Sequence, residues 1–79
     1  MMVVNGNIVG IREVNYTNNS GRDVRGRNLY YIFENQYIVG NGADSIYLSD
    51  AKFGNLIFSV GDSIRVAVGK GYKEFIERC

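Results

Sequence analysis

One stretch of this chain, Ser49–Asn55, reads as helix, and everything around it has the glycine-punctuated alternation of β-strands. Ser49 and Asp50 are good N-cap residues and Gly54 is a stop, which limits the helix to one or two turns. Residues 3–16 are rich in Val and Ile, and their apolar residues change face near Gly10, as a bulge or sharp coil in a long first strand requires. A second strand is expected over 28–38, with Leu29, Tyr31 and Phe33 on one face and Tyr30, Ile32 and Glu34 on the other. The run 40–44, GNGAD, reads as a loop leading into a short third strand, Ser45–Leu48. Strand Ser63–Val68 alternates Ile64, Val66 and Val68 with Ser63, Arg65 and Ala67, and Gly69-Lys70-Gly71 turns it into a last strand, Tyr72–Glu77.

Five strands, a coiled first strand and a helix between the third and fourth is the order of an OB-type barrel. The expected fold is therefore all-β: a small five-stranded OB-like barrel, one domain over residues 1–79. An SH3-like or other small meander barrel is the competing arrangement. With 46% hydrophobic and 22% charged residues the chain has globular composition. Leu29, Tyr31, Phe33, Phe53, Phe58, Ile64, Val66 and Val68 are the expected core. So short a chain has a small core and strand edges to protect, which makes a homodimer an expectation.

The charge pattern narrows the partners. Net charge is only +1, against a diffuse polyanion binder. Residues 1–29 carry four arginines against two acids, and residues 65–79 carry four basic groups against two acids. Between them Lys52 faces Glu34, Asp44, Asp50 and Asp62. The absence of histidine removes the commonest general base, and the single cysteine, Cys79, cannot form a zinc cluster. The chain is read as a non-enzyme that calls for no cofactor or metal and implies no small-molecule substrate. No apolar run approaches a membrane span, the N-terminus lacks the signal-peptide pattern, and a lone cysteine suits a reducing compartment. A cytoplasmic protein with no membrane partner is the expectation.

The stretch from Tyr16 to Phe33, YTNNSGRDVRGRNLYYIF, carries the functional signal. It reads as an arginine-bearing loop, with Arg22, Arg25 and Arg27, running into an aromatic strand. Single-stranded nucleic acid needs cations along its phosphates and flat rings under its bases. The loop arginines are the candidate phosphate ligands. Tyr30 and Tyr47, opposite the core parity of their strands, are candidate stacking rings, as are Tyr16 and Tyr72. Arg12 and Arg65 interrupt apolar strands and must point outward; with Lys70 and Lys73 they extend the basic track. Salt bridges and cross-strand tyrosine pairs are the purely structural alternatives.

In size, strand order and the basic loop before an aromatic strand, the chain resembles small single-stranded DNA-binding (helix-destabilising) proteins of phages and mobile elements. SGRDVRGRNLYY is similar to their loop-to-strand segment and LSDAKFGNLIF to a later one. The resemblance implies nonspecific binding of single-stranded DNA by a dimer; the residues themselves leave DNA and RNA open. A protein-interaction module, a homodimeric adaptor or inhibitor from a mobile element, is the alternative. An adaptor should gather its outer tyrosines in one apolar patch, whereas a nucleic-acid binder should interleave them with arginines.

Overall fold

The computed structural model describes residues 2–79. Five antiparallel strands make one sheet: β1 (Met2–Thr17), β2 (Asp23–Glu34), β3 (Asn41–Ser49), β4 (Ser63–Gly69) and β5 (Tyr72–Arg78). The short helix α1 (Asp50–Phe53) follows β3. Spatial order is β3-β2-β1-β4-β5, so β1 is central and β3 and β5 are the edges. Backbone pairing does not close the sheet.

The sixteen residues of β1 would span about 53 Å if straight, yet the longest dimension of the molecule is 43 Å. The strand bends at the expected place. Its register against β2 shifts between Ile8 and Gly10, leaving Val9 as the extra residue. Before the bulge Val4, Gly6 and Ile8 face inward, and after it Ile11 does. Beyond Ile11 and Leu29 the β1–β2 ribbon continues as an arm to the pair Thr17 and Asp23.

The core lies on the concave side. Ile8, Leu29, Tyr31, Leu48, Ile64 and Val66 are fully buried, and Val4, Ile46 and Phe58 complete the cluster. Phe33, Phe53 and Val68 pack against it half-buried. Two in-strand glycines explain how so many rings fit. A side chain at Gly6 would strike the Tyr31 ring, its Cβ 2.6 Å from Tyr31 Cδ2. One at Gly42 would strike Phe33 at 2.5 Å. The rings fill the space those glycines leave open.

Three strand boundaries differ by four or five residues from the sequence expectation, one being the end of β2 at Glu34 rather than at 38. Strand β2 begins at Asp23, not 28, because pairing with the long arm of β1 carries it through Asp23, Arg25 and Gly26. Strand β3 begins at Asn41, so the turn falls at 35–40, where Gly40 takes a φ of 87°.

The open side of the sheet is bridged by side chains. Lys73 on β5 donates to Asp44 Oδ1 on β3 at 2.8 Å and to the Ser45 carbonyl at 2.5 Å. On the same face, opposite Asp44 in the register, Tyr31 buries its hydroxyl without a hydrogen-bond partner among the described residues. Burial, with the nearby Asp44 charge, raises the Tyr31 pKa. An acid whose pKa is raised by folding loses its contribution as pH climbs past the unfolded value of about 10. Tyr31→Phe should therefore leave stability at neutral pH unchanged or improved, since the hydroxyl forms no bond. It should also reduce the loss of stability on the alkaline side, measured by urea unfolding across pH.

Candidate nucleic-acid interface

Residues opposite one another in an antiparallel sheet share a face, so the register assigns the faces of the arm. Gly10 is opposite Tyr30, Arg12 opposite Asn28, Val14 opposite Gly26 and Tyr16 opposite Val24. On the other side of β2, Asn28 is opposite Tyr47 and Tyr30 opposite Ser45. Tyr16, Tyr30, Tyr47 and Arg12 therefore occupy one outward face across β1, β2 and β3. All four are exposed.

The tyrosines are seated on glycines. Tyr30 lays its ring base against Gly10, where a Cβ would lie 3.6 Å from its Cδ2. Tyr47 leans across Gly26, and its hydroxyl donates to the Arg25 carbonyl at 3.1 Å. A Cβ at Gly26 would come within 2.6 Å of the Tyr47 Cζ. Glycine there lets the ring lie down on the sheet, and the hydrogen bond pins its far end. Tyr72 is similarly placed over Gly69 at the β4–β5 turn, on the outward face of β5 and half-exposed.

The arginines divide differently from the sequence expectation. They do not form one loop cluster: Arg22 lies in the 18–22 turn, whereas Arg25 and Arg27 belong to β2. The turn itself is organised by Asn18, whose Oδ1 accepts from the backbone N–H groups of Ser20 and Arg22 and from the Ser20 hydroxyl. Arg25 is opposite Asn15, on the reverse face of the arm from the tyrosines, and is exposed.

Arg27 turns inward. Its Nη1 donates to the Leu56 carbonyl at 2.8 Å and its Nη2 to the Phe53 carbonyl at 2.9 Å. The guanidinium stands 5.3 Å from the Phe58 ring centre, and Asp50 lies 3.9 Å from Nε. This side chain fastens α1 and the chain after it to the sheet through both terminal nitrogens, while its buried Nε has no hydrogen-bond partner among the described residues. The expectation that it holds phosphate meets that competing engagement.

Three further candidates have their own surroundings. Arg65 points outward, as expected, and pairs with Glu77 at 3.0 Å, an exposed bridge. Lys73 is held between β5 and β3 by Asp44 and Ser45. Lys70 is exposed at the β4–β5 turn, with no ion pair among the described residues. The basic termini and acidic middle seen in the sequence thus meet partly as pairs: Arg27 with Asp50 and Lys73 with Asp44.

Desolvation by itself raises the Asp44 carboxyl, but hydrogen bonds from Lys73 and the Ser45 N–H, with the ammonium charge, outweigh it and hold the pKa below the usual value. A carboxyl depressed by folding contributes above its unfolded pKa of about 3.9 and loses that contribution as pH falls through the folded value. Acid unfolding of Asp44→Asn should thus be less steep below about pH 4 than that of the parent chain, with stability followed by circular dichroism.

One exposed feature lies outside the candidate residues. Tyr37 and Ile38, expected at the end of the second strand, form with Val39 the tip of the β2–β3 turn, and Tyr37 and Val39 are almost fully exposed. The polar run Asn35-Gln36 before them and Gly40 after them are the turn signals that mark it.

The chain matches no protein-family model, no curated protein and no solved structure. Among the described residues, no helix is long and apolar enough to cross a membrane.

Proposed function

We propose that this chain binds single-stranded nucleic acid, DNA in the first instance, without sequence preference, on the outward face of β1, β2 and β3. One observation carries the reading: Tyr16, Tyr30 and Tyr47 share that face with Arg12, and Tyr30 and Tyr47 lie against glycines. Rings supported from beneath by backbone are suited to base stacking, and a cation between them is suited to phosphate. Arg12, in the row of Asn28 and Tyr47, lies one row from Tyr30 and two from Tyr16. The order β3-β2-β1-β4-β5, a helix between β3 and β4, and Lys73 linking the edge strands support an OB-like barrel closed by side chains. OB folds bind oligonucleotides on the face of strands two and three and on the loops joining strands one to two and four to five. Here those loops carry Arg22 and Lys70.

Phosphate contact falls to Arg12 and Arg22 in this reading. Each neutralised phosphate adds about −0.7 to the slope of log affinity against log salt for single strands. Replacing both by alanine should flatten the slope by about 1.4 and weaken all sequences alike, since phosphate contacts carry no base information. Arg25→Ala, on the reverse face, should leave the slope unchanged. A titration in which Arg25 matters and Arg12 does not would overturn the assignment of the face.

The exposed tip Tyr37–Val39 favours a second reading, a protein-interaction module. In that case Tyr37→Ser with Val39→Ser would abolish partner binding while nucleic-acid affinity stayed absent throughout.

A further inference from the structure

The central strand has a stretch of edge that no other strand pairs among the described residues. Strand β4 pairs with β1 only over Met2–Asn7, and residues 61 and 62 continue that contact to the Ile8 backbone. At the other end Asn18 turns away, its N–H donating to the Arg22 carbonyl. Between these limits, Val9–Thr17 has no β4 partner among the described residues: Gly10–Thr17 pairs with β2 alone, and the bulged Val9 pairs with neither strand. No lysine or proline guards this edge. Such an edge is a template for another strand.

We propose that this edge pairs antiparallel with the same edge of a second copy, about a twofold axis at Val14. An isologous contact of this kind closes after two chains. The charges on the strand select the register, because a twofold places one residue opposite its own copy. Centred on Arg12, the pairing opposes two arginines; centred on Glu13, the middle of the free stretch, it opposes two glutamates. Like charges directly opposite destabilise a sheet. Centred on Val14, the pairing opposes Val14 with Val14, Glu13 with Asn15, Arg12 with Tyr16, and Ile11 with Thr17. Every opposition is then neutral or complementary, with Arg12 beside an aromatic ring. Centred on Asn15, the run shortens to Glu13–Thr17. Val9 and Val60, exposed beside the Ile8 end of the edge, add apolar surface next to the seam.

This pairing does not depend on the nucleic-acid reading, and its test uses protein alone. Directly opposed Cα atoms in an antiparallel pair lie about 4.5–5.5 Å apart, within disulfide range. With exposed Cys79 replaced by Ser, Val14→Cys should form a disulfide-linked dimer under mild oxidation, and Arg12→Cys and Glu13→Cys should not. In the same background Val14→Lys should keep the β spectrum in circular dichroism and weaken dimerisation by about fivefold in sedimentation. Sedimentation as a monomer at every accessible concentration would overturn the proposal. So would a dimer that cross-links through Glu13→Cys rather than Val14→Cys, or one whose dissociation constant Val14→Lys leaves unchanged.

Discussion

Arg27→Ala should destabilise the fold by about 2–3 kcal/mol and leave the salt dependence of single-strand binding as it was. The side chain is mostly buried, and its removal strands the carbonyls of Phe53 and Leu56 that it now satisfies. It also removes the cation from the Phe58 ring and leaves Asp50 without its ion pair. Urea unfolding monitored by circular dichroism measures the first effect, and fluorescence titration at several salt concentrations measures the second. Arg27→Lys should recover little, because an ammonium cannot reach two carbonyls with the fork of a guanidinium. A full-strength fold with a flattened salt slope would return Arg27 to the phosphate-binding set.

The outward tyrosines should behave in the opposite way. Tyr30→Ala and Tyr47→Ala should each weaken single-strand affinity by about 1–3 kcal/mol with an unchanged salt slope, because stacking releases no counterions. Their exposure places them outside the core, so stability should fall by less than a core truncation costs. Tyr47→Phe separates ring from hydroxyl. It keeps the stacking surface and loses the bond to the Arg25 carbonyl, so affinity should fall only as far as that bond orients the ring. Equal affinities for Tyr30→Ala and the parent chain would remove the ring from the site.

The contrast between Arg27 and Tyr30 shows what was legible in the sequence. Alternation placed Leu29 and Tyr31 inside and Tyr30 outside, and the structure agrees. The same alternation puts Arg27 in phase with Leu29 and Tyr31, which is the signal that it points inward. Glycine-rich surroundings and poor strand propensity masked that signal, because the stretch read as a loop. Pairing across the 18–22 turn with the β1 arm, joined at Gly26 and Arg27 by β3, makes 23–27 a strand. The bend at Gly10 and the turn at Lys70-Gly71 were readable because each rests on local chemistry, and Ser49 does precede the helix, though its side chain makes no capping hydrogen bond. The carbonyls that Arg27 meets come from a segment 26 and 29 residues away, and nothing local encodes that encounter. The three exposed apolar residues at 37–39 were hidden for a related reason: periodicity alone does not separate the end of a strand from a turn.

Whether the Tyr16–Tyr30–Tyr47 face receives a single strand decides the proposed function. The most direct measurement is a titration of the unmodified protein with a labelled thymidine oligonucleotide and with a duplex of equal length, across a range of salt. The expected result is binding of the single strand at low salt, quenched tyrosine emission, weaker binding of the duplex, and log affinity falling linearly with log salt. A protein that retards no single strand at low salt, or binds the duplex as tightly without tyrosine quenching, would contradict it.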